Sequence, residues 1–362
     1  MIKVNYNKNI LLVTGGTGGH IYPAISIYKY LKNNSYKVNI ITDKRGLKNK
    51  NLAIYKPFLI NVKGYSDKKI LEKFYSLILV LFSTVKAILY LRKENINLIC
   101  GFGSYVQVPV LIAAKILKID FILHEANAVL GKANKVFWKF ARVRTSFYEL
   151  GISNFKIIKL GMPVRPNIEK LYKKNYLAFK RNSNITILIL GGSLGSEALS
   201  LNIAKSLCLL PNKLKNRLKL VHQVKKNHVG IVAKKYKENN IKARVEIFIN
   251  NIENKLKVAN LIICRAGAST IAENLIAGVP AIYIPLNFSS NDHQYFNALK
   301  ITKSKVGWLI REKEIASSNF VKFINEILLS PNKLKKYADN CKKHASPKAT
   351  QNLYKVIAGL ND

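Results

Sequence analysis

The run Gly15-Gly16-Thr17-Gly18-Gly19-His20 offers the most direct chemistry in this chain. An apolar stretch, Ile10-Leu11-Leu12-Val13, precedes it, and an amphipathic one, Ile21 to Leu31, follows. That order reads as strand, glycine turn, helix. A turn without side chains lets backbone N–H groups approach a phosphate at a helix start, where the dipole favours an anion. The histidine beside it exchanges a proton near neutral pH. The pair points to an enzyme that handles a nucleotide or a diphosphate. The commonest phosphate loops do not fit. No Lys-Ser/Thr pair follows the glycines, and a G-x-G-x-x-G register starting at Gly16 would end on Ile21. Taken alone, the segment also fits a tight strand-to-helix connection without a ligand.

Other polar, glycine-rich segments fall where strands should end. They are Gly101-Phe102-Gly103-Ser104-Tyr105, His124-Glu125-Ala126-Asn127 and Gly161-Met162-Pro163-Val164-Arg165-Pro166. Gly191-Gly192-Ser193-Leu194-Gly195-Ser196, Arg265-Ala266-Gly267-Ala268-Ser269-Thr270 and Asn291-Asp292-His293-Gln294 follow. Gly192 and Ser193 offer N–H groups and a hydroxyl at a helix start, which suits an anion. Arg165 adds a fixed planar cation. Glu273 lies one helical turn beyond Ser269, and its carboxylate can accept two hydrogen bonds. His124 by itself fits a satisfied histidine at a strand end. The chain carries no carboxylate pair with metal-ligand spacing, so no cofactor and no protein-bound metal are expected.

These residues need a frame. Strand patterns fall at 10–14, 37–42, 58–62, 97–101, 120–124 and 156–160, with helical patterns at 21–33, 70–93, 106–117 and 131–140. After a basic stretch, Lys173 to Asn184, the scheme restarts with Ile185 to Leu190, a glycine turn and a helix. Strands near 218–222, 244–249, 260–264, 280–284 and 306–310 follow. Such alternation predicts an α/β protein of two Rossmann-like, doubly wound halves facing a cleft, with ligands at the carboxyl ends of the strands. The expected domains are 1–163, completed by a terminal helix within 345–362, and 164–344.

The 362 residues suit two domains, and 49% hydrophobic residues supply two cores. Lys+Arg is 60 against Asp+Glu 19, a net charge of +41, spread along the chain without a basic tail. The excess favours anionic partners, yet no nucleic-acid motif accompanies it. The reading is compositional bias with a share facing an anionic membrane surface. The four cysteines, at 100, 208, 264 and 341, form no C-x-x-C pair, which fits a reduced compartment. No signal-peptide pattern opens the chain. In 70–93, Phe74, Leu77, Ile78, Leu81, Val85 and Ile88 form the face expected to bury, while Leu79, Val80 and Phe82 add apolar surface off it. Lys69, Lys73 and Lys86 flank or interrupt that surface. The unbroken apolar run, Phe74 to Val85, is shorter than the roughly 20 residues a bilayer span needs. It suits an interfacial contact with anionic lipid, the alternative being a helix buried on most sides.

In this order the segments resemble the MurG family of peripheral-membrane glycosyltransferases of peptidoglycan synthesis, over nearly the whole chain. The matches are GGTGGH with Pro23, GFGSY with Pro109, HEAN with Gly131 and Asn134, GMPVR, GGSLGS, RAGAST with Glu273, and DHQ with Asn297. The resemblance implies a GT-B fold at the cytoplasmic face of the plasma membrane, within reach of other cell-wall synthesis proteins. It implies inverting transfer of N-acetylglucosamine from UDP-GlcNAc to lipid I, giving lipid II. By the same resemblance, Thr17, Gly18, Gly19, Ala268, Ser269 and Thr270 line the donor, Gly192, Ser193 and Arg165 hold its diphosphate, Glu273 takes the ribose 2′ and 3′ hydroxyls, and the backbone near Ile249 reads uracil. Gln294 binds hydroxyls of the transferred sugar, and Asn127 reaches it from the N-terminal half. Gly15, Gly16, Gly103 and Ser104 could hold the acceptor's diphosphate. An inverting displacement needs a base for the acceptor hydroxyl. His20 is the candidate and Glu125 the rival.

The chain departs from the family pattern at Ala126 in HEAN, Met162 in GMPVR, Ser104 in GFGSY, and Val224 and Lys225 after His222-Gln223. Another GT-B enzyme with a different lipid acceptor, and more distantly a basic nucleic-acid-binding protein, are the competing readings.

Overall fold

Runs such as Ile10–Val13 and Ile185–Leu190 are apolar on both strand faces, so they require cover on both sides. Parallel sheets between helices supply it. The computed structural model describes residues 9–16, 18–62, 70–180, 182–192, 196–286 and 292–360. The chain divides into two units, Met1–Arg165 with Lys348–Asp362, and Pro166–Pro347.

The first unit holds β1 (Asn9–Val13), β2 (Lys37–Thr42), β3 (Phe58–Leu59), β4 (Ile96–Gly101), β5 (Asp120–Glu125), β6 (Val143–Ser146) and β7 (Ile157–Lys159). They form one parallel sheet in the order β3-β2-β1-β4-β5-β6-β7. Alternate residues feed two cores, as the period of two requires. Ile10, Leu12, Ile40, Leu98 and Ile122 pack with α1 (Gly18–Asn33). Leu11, Val13, Ile41, Ile99 and Leu123 face the other way and share a core with Ala87, Leu91, Val110 and Ala114. The terminal helix Ala349–Ala358 joins the first core through fully buried Leu353 and Ile357, each worth about 1.5–3 kcal/mol. Between β1 and β4 the strand order reverses, so the loops after these strands flank a switch point, the usual seat of a ligand.

The second unit holds β8 (Ile185–Leu190), β9 (Leu218–Gln223), β10 (Lys242–Glu246), β11 (Leu261–Cys264), β12 (Ala281–Tyr283) and β13 (Gly307–Leu309). They also run parallel, in the order β10-β9-β8-β11-β12-β13, with the switch point between β8 and β11.

One expectation is corrected in the helix α2 (Ile70–Lys93). Its packed face is Ser76, Val80, Ser83, Thr84, Ala87 and Leu91, all buried. Leu77, Leu81 and Val85, expected inside, are exposed, and so are Phe82 at 72% and Leu89 at 62%. Small side chains allow close approach to the neighbouring helix α3 (Gln107–Ile116). The hydroxyls are satisfied: Ser83 donates to Asn61 O at 2.6 Å and Thr84 to Val80 O at 2.8 Å. The longer side chains are thereby left outward. By length and composition alone Tyr75–Lys93, with mean hydropathy 1.5, would also pass as a membrane span, while 33% of it is buried inside the protein.

Candidate active site

In the first unit the glycine turn after β1 is held by Asp43, a residue the sequence reading passed over. Asp43 is buried at the end of β2, and its Oδ1 accepts from Gly16 N at 3.1 Å and Gly46 N at 2.7 Å. Arg45 donates to Oδ2 from both Nε and one terminal nitrogen, at 3.1 Å each. A Cβ on Gly15 would lie 3.0 Å from Asp43 Oδ1, so the turn needs glycine there. Gly16 N–H, expected to face a phosphate, faces a carboxylate instead. An acid directly after a strand, opposite a glycine turn, was the available signal.

His20 lies in the first turn of α1. Its Nδ1 is 2.7 Å from Phe102 O. A carbonyl only accepts, so Nδ1 carries the proton and Nε2 the lone pair. Gly103, at φ +92°, lies directly against the ring. Ser104, at φ +72°, places its hydroxyl 3.4 Å from where a Gly16 Cβ would be. Gly15, Gly16, His20, Gly103 and Ser104 therefore gather at one switch point, and Gly18 and Gly19 open the adjoining helix.

The segment after β5 is built on Glu125. Its Oε1 accepts from Asn127 N at 2.9 Å and Asn127 Nδ2 at 3.1 Å. Its Oε2 accepts from Gly131 N at 2.9 Å and Asn134 Nδ2 at 2.8 Å. Four donors surround a carboxylate that is itself buried. Next to it, His124 is buried with Nδ1 3.0 Å from Thr145 Oγ1. Burial, and secondarily the charge of His20, pushes its pKa down to about 3, which fits a structural, neutral ring. Arg165 lays its guanidinium over the Tyr22 ring at 4.6 Å, at the end of the first unit's main segment.

In the second unit, Gly192 turns at φ +81° and Ser196 caps the helix α4 (Glu197–Cys208), accepting from Leu199 N at 3.2 Å. Buried Arg265 ties the surrounding loops together. It donates to Ser196 Oγ at 2.6 Å and Pro285 O at 2.9 Å, and it pairs with Glu312. Ala268, Ser269, Thr270 and Glu273 share the helix α5 (Ala268–Ala277), with Glu273 only 8% exposed. Gln294 accepts from Leu286 N at 3.0 Å, and buried Asn297 donates to Ala266 O at 3.2 Å. Ile249 is buried beyond the end of β10. Thr17, Lys69 and Ser193, and the Lys73 side chain, lie outside the described residues. Leu79 is half-buried on α2, whereas Lys86 is exposed and sits 5.0 Å from the Phe58 ring.

Both halves match family models: residues 10–144 the glycosyltransferase family 28 N-terminal domain and residues 186–353 its C-terminal domain. A Wolbachia protein from the strain of Drosophila simulans is 32% identical over 96% of this chain and 98% of its own length. One from Pseudomonas entomophila is 33% identical over 96% and 97%. Both are named UDP-N-acetylglucosamine–N-acetylmuramyl-(pentapeptide) pyrophosphoryl-undecaprenol N-acetylglucosamine transferase. The crystal structure of Acinetobacter baumannii MurG superposes with a TM-score of 0.79 at 26% identity, covering 97% of this chain and 99% of that one.

The chain belongs to the MurG family.

It is accordingly a glycosyltransferase of two parallel-sheet units, the GT-B fold. Its departures from the MurG pattern at Ala126, Met162 and Val224 are apolar side chains at 3%, 1% and 1% exposure. They change what is packed inside the loops rather than what the loops present. Ser104 is different, because it puts a side chain on a left-handed residue that glycine would occupy without strain.

Proposed function

We infer that this protein transfers N-acetylglucosamine from UDP-GlcNAc to the 4-hydroxyl of the MurNAc residue in lipid I, yielding lipid II with inversion at the sugar carbon. The observation that carries the mechanism is the hydrogen bond from His20 Nδ1 to Phe102 O. It fixes the ring and the tautomer, so that Nε2 can take the acceptor's proton as the new bond forms. Glu125 is the poorer base, because each of its oxygens already accepts two hydrogen bonds. UDP leaves as an anion. In this reading the Gly192–Ser193 turn and Arg165 hold its diphosphate, and Glu273 the ribose. Ala268, Ser269, Thr270 and the backbone near Ile249 hold the rest of the nucleotide. Gln294 and Asn127 address the sugar. Gly103 N is already engaged by Gln107, so the donors for the acceptor's diphosphate in this reading are those of Ser104 and the start of α1. No protein-bound metal takes part.

The exposed face of α2 supports a peripheral membrane position. Leu77, Leu81, Phe82, Val85 and Leu89 project together, with Lys86 among them. Ile116 at the end of α3, and Val136 and Phe140 beyond it, are also exposed, with Lys115 Nζ 3.1 Å from the Phe140 ring centre. Apolar side chains amid lysines suit the interface of an anionic leaflet, where a lipid acceptor is presented. We place the protein on the cytoplasmic face, where UDP-GlcNAc is available.

The deciding experiment is transfer of labelled N-acetylglucosamine from UDP-GlcNAc to a short-chain lipid I analogue by the purified protein. Labelled disaccharide product is expected. Binding of UDP-GlcNAc without product would move the acceptor to another lipid.

A further inference from the structure

A chain of buried amides joins the seat of His20 to the loop that carries Asn127. Gly103 N donates to Gln107 Oε1 at 3.0 Å. Gln107 Nε2 donates to Asn134 Oδ1 at 2.6 Å. Asn134 Nδ2 donates to Glu125 Oε2 at 2.8 Å, and Glu125 Oε1 accepts from Asn127. Gln107 and Asn134 are 0% and 2% exposed, so these bonds have no water to replace them.

The direction of every bond is forced from one end. A backbone N–H can only donate, so the Gln107 group facing Gly103 must be its oxygen. Its nitrogen must then donate, which fixes the Asn134 oxygen toward it and the Asn134 nitrogen toward Glu125. That nitrogen finds only acceptors there, Glu125 Oε2 at 2.8 Å and the His124 carbonyl at 3.4 Å, and the carboxylate also receives Asn127 and Gly131. The polarity therefore runs from the turn beneath His20 to the Asn127 loop without a free choice at any step.

We propose that Gln107 and Glu125 are positioning residues for the transfer, the two ends of a directional brace that holds His20's seat and the Asn127 loop in one register. This rests on the reading of His20 as base. Gln107 touches no substrate in this role. It acts through Gly103, which lies against the His20 ring, and through Asn134. Glu125 is the acceptor terminus of the brace rather than a proton carrier.

The test reverses the polarity. Gln107→Glu still accepts from Gly103 N but offers Asn134 a second acceptor. Asn134 must then turn its nitrogen away from Glu125 and set its oxygen against a carboxylate. Glu125→Gln alone removes the terminal acceptor. The double variant Gln107→Glu/Glu125→Gln restores a consistent chain running the other way, losing the bond from Gly131 and the longer one from Asn134 to the His124 carbonyl. The readouts are kcat and the KM of each substrate for the four proteins, with their thermal midpoints. Gln107→Glu is expected to lower kcat roughly 10²-fold, as a displacement of about 1 Å does, with the KM of UDP-GlcNAc changed far less. The double variant is expected to be more active than Gln107→Glu by about tenfold, whereas independent sites would make it worse than either single change. Multiplying losses, or a Gln107→Glu enzyme with unchanged kcat, would overturn the brace. If Gln107→Glu does not fold, Gln107→Met keeps the shape without either polar end. It must lower kcat with little effect on the KM of UDP-GlcNAc, and unchanged kcat overturns the proposal. Failure of the unmodified protein to act on the lipid I analogue is a separate result. It would remove the functional reading, while the coupling of the four proteins would still be read from their thermal midpoints.

Discussion

Gly103 and His20 are in contact: a Cβ built on Gly103 would sit 2.9 Å from His20 Cε1 and 3.0 Å from Nδ1. The adjacent carbonyl, Phe102 O, holds the same ring by its Nδ1 proton. One dipeptide thus supplies both the anchor and the clearance for the candidate base. Gly103→Ala should fail on two counts, because its φ of +92° disfavours an L side chain and because the new methyl group displaces the imidazole. We expect a loss of stability of about 1–3 kcal/mol and a fall in kcat of roughly 10²-fold. Urea unfolding and steady-state transfer kinetics measure the two parts. Lost stability with normal kcat would mean that the ring's position is unimportant.

His20→Ala removes the proton acceptor itself. A fall in kcat of roughly 10²–10⁴-fold is expected, the range for a general base. The thermal midpoint should move little, since the ring is only partly buried. Turnover close to that of the unmodified protein would exclude His20 from the role and reopen the choice of base.

Much of this arrangement was legible in the sequence. Both glycine turns announced the switch points, because apolar runs ending in glycines and followed by helical periodicity admit few other structures. What escaped was polar or packed by small residues. Strand β6 is Val-Arg-Thr-Ser, without an apolar alternation to reveal it. Strand β10 is Lys-Ala-Arg-Val-Glu and lies earlier than the apolar stretch Ile247-Phe248-Ile249 suggested. Asp43 and Gln107 were missed because their value lies in contacts to residues 27 and 27 positions away, Gly16 and Asn134, which no local spacing encodes. The faces of α2 were misassigned because hydropathy cannot tell a buried apolar face from an exposed one.

That face makes a prediction. Leu81→Glu with Phe82→Glu places charge where both side chains are exposed, at 61% and 72%. Folding should survive, because neither residue packs inward. Flotation with vesicles containing anionic lipid should lose the protein, while UDP-GlcNAc binding by isothermal calorimetry stays unchanged. Retained flotation would assign membrane contact elsewhere.

Lys342 holds the second unit from the C-terminal end of the helix Pro331–His344. Its Nζ donates to the carbonyls of Leu171, Tyr172 and Ile276 at 2.7, 2.9 and 2.7 Å. Ile276 is near the end of α5, the helix that carries Glu273. Lys342→Met keeps the stem over Gly278 but leaves these carbonyls without their donor. A loss of about 1–3 kcal/mol is expected in urea unfolding. An unchanged midpoint would show that water takes over all three.

Acid sensitivity follows from His124 in the first unit and His222 in the second, both almost fully buried. Burial pushes the pKa of both His124 and His222 from 6.5 down to about 3. For His222 the Leu199 carbonyl opposes the shift without cancelling it. Between pH 3 and 6.5 the unfolded chain therefore binds protons that the folded chain refuses. Stability is fully present above pH 6.5 and falls as pH drops through that window, by up to about 1.4 kcal/mol per pH unit for each histidine. His222 receives Tyr236 Oη at Nδ1, 2.8 Å away, and donates from Nε2 to Leu199 O at 3.2 Å. His222→Gln can retain one of these bonds without gaining a charge in acid. It should unfold more easily at pH 7 yet lose about 2 kcal/mol less than the unmodified protein on going to pH 5. The two tryptophans, Trp138 in the first unit and Trp308 in the second, allow each transition to be followed by fluorescence with the other replaced by phenylalanine. The flattening should appear in the Trp308 signal. Parallel pH profiles for variant and parent would mean that His222 already binds its proton in the folded state.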